Sequence, residues 1–124
     1  MAIFANIAGT DTTPSVAFDP VERRLSLEGE SYPENAFRFF RPIIEWARAH
    51  CASDGLTLDL RIVYMNTSSV RCVMDLLDVL EDAFARGRVV KVVWRHRSTD
   101  ERARRMGEEF VEDLTVPSEI VSEP

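Results

Sequence analysis

Two cysteines, two histidines and five glycines in 124 residues leave little material for several common chemistries. Cys51 and Cys72 are not spaced as CxxC, and each falls within a helical apolar pattern. They read as small buried hydrophobes in a reducing compartment, not as a disulfide framework or a redox pair. His50 and His96 lack a second His, Cys or carboxylate at a ligand spacing such as HExxH, which argues against a metal site. His50 reads as a partly buried core residue, and His96 lies between Arg95 and Arg97. No GxGxxG, P-loop or GxSxG occurs, and Ser68 and Ser69 have no evident His and Asp partners, so catalysis by this chain is not expected. No run approaches the ~20 apolar residues of a membrane span. The first eight residues lack the basic n-region and the length of a secretory signal, so the expected location is cytoplasmic.

Positive charge is also short. With 21 acidic against 15 basic side chains the net charge is −6 and the pI about 4.9, a poor balance for generic binding of nucleic acid or anionic membrane. Arg86, Arg88, Lys91, Arg95 and Arg97 form a local basic stretch around the Val89-Val90 and Val92-Val93 pairs. It reads as the solvated ends of an apolar strand. The acidic pairs Glu108-Glu109 and Glu112-Asp113 read as a wet helix face or a docking face for a basic partner.

What the chain does have is the pattern of one small folded domain over residues 1–124, with 45% apolar residues and enough length for a core of its own. Ser15–Phe18 and Leu25–Glu28 alternate as two short strands around the turn Asp19-Pro20-Val21-Glu22. After Gly29 breaks the second strand, Ala36, Phe37, Phe40, Ile43, Ile44, Ala47 and Cys51 recur at helical spacing, with Pro42 expected to kink or split that helix. A strand from Leu56 to Val63 leads to a helix whose buried face is Val70, Val73, Met74, Leu77, Leu80 and Phe84. A strand over Val89–Trp94 precedes a third helix, roughly Thr99 to Leu114, with Ala103, Met106, Phe110, Val111 and Leu114 inward. Residues 1–12 and 118–124 read as loosely ordered. The order is β-β-α-β-α-β-α, an α/β domain with a mixed four-stranded sheet packed by helices. Crossovers of this kind bring three loops to one carboxyl edge, Gly29–Asn35, Asn66–Ser69 and Arg95–Asp100, where open α/β sheets bind their ligands.

The most informative stretch lies on that edge. Asn66-Thr67-Ser68-Ser69 puts an amide and three hydroxyls between a strand and a helix, where the first N–H groups of the helix lack partners and the dipole is positive. Helix capping accounts for one or two of these residues. The others suit an anion or a phosphorylated hydroxyl. A phosphate there would lie near Arg95 or Arg97 and would face Glu30 and Glu34. Two functions fit: a switch protein toggled at this turn, or a small-anion or nucleotide-binding module in which the N–H groups of Ser68 and Ser69 cradle a ligand phosphate and Thr67 touches it.

Four blocks then carry a family likeness. Thr13-Pro14-Ser15-Val16-Ala17-Phe18-Asp19-Pro20, Gly29-Glu30-Ser31-Tyr32-Pro33-Glu34-Asn35, Tyr64 to Ser69, and Gly107-Glu108-Glu109-Phe110 resemble successive blocks of the bacterial SiaC-like regulatory phosphoproteins, from about Thr13 to Pro117. The resemblance implies a STAS-like fold, like that of anti-anti-sigma domains. It also implies a non-enzymatic role: a threonine in the Asn-Thr-Ser-Ser block is phosphorylated by a dedicated kinase and dephosphorylated by a PP2C-type phosphatase. The unphosphorylated form binds and activates a diguanylate cyclase, raising cyclic-di-GMP and favouring biofilm. By position that threonine is Thr67, flanked by Asn66, Ser68 and Ser69. Arg71, Asp75 and Asp78 on the adjoining helix, with Tyr32 and Glu34 on the neighbouring loop, are the expected partner contacts. The chain departs from the relatives at Arg95-His96-Arg97, where they carry aromatic and acidic residues, and at Ser118, where an aromatic is usual.

Overall fold

The hairpin expected near the N-terminus is present in the computed structural model, which describes residues 6–124. Strands β1 (Ser15–Asp19) and β2 (Arg24–Ser31) pair antiparallel. Asp19 makes the turn, its carboxylate accepting the N–H groups of Val21 and Glu22 in the side-chain mimic of a backbone turn that favours Asp there. Helix α1 (Ala36–Cys51), strand β3 (Leu56–Met65), helix α2 (Thr67–Ala85), strand β4 (Val90–Arg97) and helix α3 (Glu101–Val111) follow.

Three expectations need correction. The sheet has five strands, not four, because the tail expected to be loose forms β5 (Ser118–Glu123), parallel to β4. Only Ile120 and Val121 in that segment are apolar, so its alternation is faint. Long-range polar contacts hold it instead: Arg61 of β3 forks onto Glu123 at 2.7 and 2.6 Å, and Glu81 of α2 accepts Thr115 and Val116 N–H. Gly29 does not end β2. It adopts φ +127° at a register shift between Gly29 and Glu30, a bulge that glycine permits, and the strand continues to Ser31. Pro42 does not split α1, which is one helix capped by Asn35, whose side chain accepts Arg38 N–H at 3.0 Å. Both Pro42 and Arg38 face solvent, so water can satisfy the carbonyl that the proline ring leaves unbonded. At the other terminus, residues 1–5 lie outside the described region. Ile7 makes a bridge to Val16, and the Thr10 hydroxyl accepts the N–H groups of Thr12 and Thr13.

The sheet order is β1-β2-β3-β4-β5, with all pairs from β2 onward parallel. Every crossover therefore steps the same way across the sheet, and right-handed connections then put all three helices on one face. Leu25, Leu27, Leu56, Leu58, Leu60, Val92 and Trp94 point at those helices and meet Phe40, Ile43, Val73, Leu76 and Leu80, all fully buried or nearly so. Each such side chain contributes roughly 1.5–3 kcal/mol on leaving water.

The opposite face is a charged lattice. Asp59, at 8% exposure, sits between Arg24 and Arg95, with Arg95 Nε 3.0 Å from both carboxylate oxygens. Arg95 is thus not a free strand end, and its head is committed to this face. Arg88 is likewise engaged, donating to the carbonyls of Cys51 and Ala52 where α1 stops. Replacing Asp59 by Asn would leave two guanidinium groups without their shared counter-ion. It should cost about 1–3 kcal/mol, read as a lower urea midpoint with unchanged slope.

Candidate functional site

The turn between β3 and α2 divides its four polar residues into separate jobs. Asn66 is the N-cap (φ −78°, ψ 170°), and its Oδ1 accepts the Ser69 N–H at 2.9 Å, which satisfies one orphan donor of the helix start. Ser69 is not a loop hydroxyl. It is fully buried and meets Ser31 of β2, also fully buried, through a 2.7 Å hydroxyl–hydroxyl bond. Thr67 and Ser68 remain exposed, and neither hydroxyl bonds another of the described residues. Capping thus uses the amide and buried bonding uses the last serine, leaving Thr67 at the first helical position with its oxygen open to solvent.

The neighbouring loop is clipped to this turn as its carboxyl-edge position demands. Asn66 N–H donates to Ser31 O at 3.0 Å, and the Asn66 amide reaches Pro33 O at 3.5 Å. Tyr32 and Tyr64 meet edge to face, 5.8 Å between centroids, and both are partly exposed, so aromatic surface lies where β2 and β3 end. Glu34 is exposed on the same loop. The third loop, following β4, shares the edge through parallel pairing, but Arg95 points away to Asp59 and offers nothing to Thr67. Ser31 was not anticipated as a site residue: within the sequence it is one more polar loop residue, and only the bulge at Gly29 turns it inward. Replacing Ser69 by Val removes one hydroxyl and strands the other, costing about 1–3 kcal/mol. Replacing Ser31 and Ser69 together by Ala should cost less than the sum of the single changes, measurable as a double-mutant cycle.

Along α2, Arg71 and Asp78 are exposed and Asp75 is half-buried. Partial desolvation by its neighbours, together with the charges of Asp75, Asp82 and Glu81, raises the Asp78 carboxyl above its usual range. Since the ionised form is the disfavoured one, Asp78→Asn should stabilise the chain at pH 7. A few tenths of a kcal/mol is expected, about the size of a like-charge helix pair. That gain should vanish as the pH falls through the carboxylate range, where Asp78 is protonated in folded and unfolded chains alike. Three residues expected to be inward are not: Met74 is 51% and Phe84 38% exposed on α2, and Phe37 of α1 is 51% exposed. Their places in the core are taken by Cys72, Leu76 and Val79 on α2 and by Trp46 and His50 on α1. His50 Nε2 donates to Gly55 O at 2.7 Å and stacks on Trp46.

The cysteines offer no nucleophile. Burial pushes the Cys51 thiol up to about 11, against the lowering effect of Arg86 and Arg88, and burial with Asp75 raises Cys72. Protonated thiols of this kind are inert. Among the described residues no cluster of three or more His, Cys, Asp or Glu could hold a metal, and no helix is long and apolar enough to cross a membrane.

The geometry is that of a small α/β domain with an exposed hydroxyl at a helix start, suited to contacts through its surface. The sequence matches the SiaC family of regulatory phosphoproteins over residues 7–123, and the chain belongs to that family. Its role is accordingly regulatory and not enzymatic. A protein of Pseudomonas aeruginosa strain UCBPP-PA14 is 43% identical over 118 residues, 93% of each chain. The solved complex of the diguanylate cyclase SiaD with its activator SiaC from Pseudomonas aeruginosa is similar with a TM-score of 0.91 and 40% identity, covering 97% of this chain and 100% of the other. Apo-SiaC from the same organism aligns with a TM-score of 0.84 and 39% identity, over 94% of this chain and 97% of that one.

Proposed function

We propose that this chain is a phospho-switch whose Thr67 state decides whether it holds and activates a diguanylate cyclase. A partner kinase phosphorylates Thr67, a PP2C-type phosphatase reverses it, and the unphosphorylated form is the activating one, all in the cytoplasm. The observation that carries the reading is the solvent-open Thr67 hydroxyl at the first position of α2, left free because Asn66 does the capping. The SiaC relative's complex with a cyclase supports the identity of the output. In this reading the domain works as STAS-like modules do, by binding a protein through a face that one phosphate can close.

The nucleotide-binding alternative is weaker on this geometry. It needs the N–H groups of Ser68 and Ser69 together, and the Ser69 N–H is already taken by Asn66. Adding the unphosphorylated chain to the cyclase should raise cyclic-di-GMP synthesis several-fold, and the phosphorylated chain should not. Equal synthesis with both forms would refute the switch.

A further inference from the structure

A groove of about 900 Å³ runs between α2 and α3. Met74, Leu77, Met106 and Phe110 form its apolar wall. Unbranched methionines adapt to an incoming side chain better than branched residues do. Thr67, Arg71, Met74, Asp78 and Glu81 follow one another at intervals of three or four residues, so they share one stripe of α2. The candidate hydroxyl and the groove therefore belong to a single continuous surface.

Charge is graded along this groove. Both α2 and α3 leave the carboxyl edge of the sheet, each following one of two parallel strands. Arg102 and Arg105, in the first half of α3, thus lie toward the Thr67 end. Asp78, Glu109 and Asp113 lie toward the other end. Glu81 is already engaged with Thr115 and Val116, but the other three carboxylates have no cationic partner among the described residues.

We propose that the groove receives an amphipathic helix of the output partner. Its apolar stripe packs on the two methionines and Phe110, its basic residues lie over Asp78, Glu109 and Asp113, and its acidic residues lie over Arg102 and Arg105. This rests on the reading of the chain as a cyclase-binding switch and names the surface that the switch controls. It also explains why a phosphate on Thr67 acts on binding: the helix end nearest to it is the acidic one. A second copy of this chain is a poorer occupant, since each copy carries a net charge of −6.

The test uses full-length protein and the SiaD cyclase of Pseudomonas aeruginosa as the probe, by titration calorimetry. The unphosphorylated wild-type chain is expected to bind. Met74→Lys and Asp78→Lys, both at exposed positions, should each weaken binding at least tenfold with unchanged circular dichroism. Val21→Lys, on the hairpin turn at the opposite end of the sheet, should bind as wild type. A photo-crosslinker at position 106 should capture a helical SiaD segment with an apolar stripe and opposite charges at its two ends. Wild-type binding that both groove variants retain would overturn the groove assignment while leaving the cyclase reading intact. Absence of wild-type binding would remove the cyclase reading and the groove assignment with it. A wild-type dimer in the ultracentrifuge that Met74→Lys breaks would give the groove to a second copy and overturn the proposal.

Discussion

Phosphorylation of Thr67 is expected to weaken the output complex by at least tenfold, with Thr67→Ala binding as the unphosphorylated chain does. The modification adds about −1.5 to −2 charges at the first position of α2. The helix dipole offsets part of this by about 0.3–1 kcal/mol, so the domain itself should fold as before. A partner seated on the same surface must desolvate the dianion or supply a cation. The nearest cation on the stripe is Arg71, and Arg95 is held by Asp59 on the other face of the sheet. Only about 1.4 kcal/mol of unrelieved cost is needed for a tenfold loss. Calorimetry of the phosphorylated and unphosphorylated chains against the cyclase measures the difference. Identical affinities, with phosphorylation complete by mass spectrometry, would contradict it.

Gly107→Ala is expected to destabilise the chain although it adds a single methyl group. A Cβ at this position would lie 2.3 Å from the Trp94 ring and 2.6 Å from two more of its atoms, well inside contact distance. The ring cannot yield easily: it is fully buried, and its Nε1 donates to Ala103 O at 2.9 Å from the same helix. Alanine would gain about 0.5–1 kcal/mol of helix propensity, but forcing α3 off the sheet costs more. A net loss of about 1–3 kcal/mol follows from the usual cost of overpacking. Urea unfolding should show it, and pairing the change with Trp94→Leu should recover much of the loss, since the two sites share one contact. An alanine variant as stable as wild type would contradict the packing account. Because α3 forms one wall of the groove, the same variant should also bind the partner less tightly.

The legible parts of this protein were those written in local pattern. Periods of two and of three to four residues located the hairpin, the three helices and strands β3 and β4, and the loop lengths implied parallel crossovers with a shared carboxyl edge. The polar turn at Asn66–Ser69 was visible because four small polar residues are unusual between two apolar elements. Parts that depend on partners far along the chain were not legible. β5 is held by Arg61, Glu81 and the edge of β4, and its own residues are mostly polar. Ser31 reads as loop until the Gly29 bulge carries the strand on and turns it toward Ser69. Arg95 reads as a solvated end until Asp59, 36 residues earlier, is placed beside it. Met74 and Phe84 fit a helical apolar stripe in sequence, yet α2 presents a neighbouring stripe to the core and leaves these two outward.

The most direct measurement is phosphosite mapping by tandem mass spectrometry after incubation with ATP and the cognate kinase. A single phosphate on Thr67, and none on the Thr67→Ala chain, is expected. Phosphate found on Ser68 instead, or persisting in the alanine variant, would contradict it.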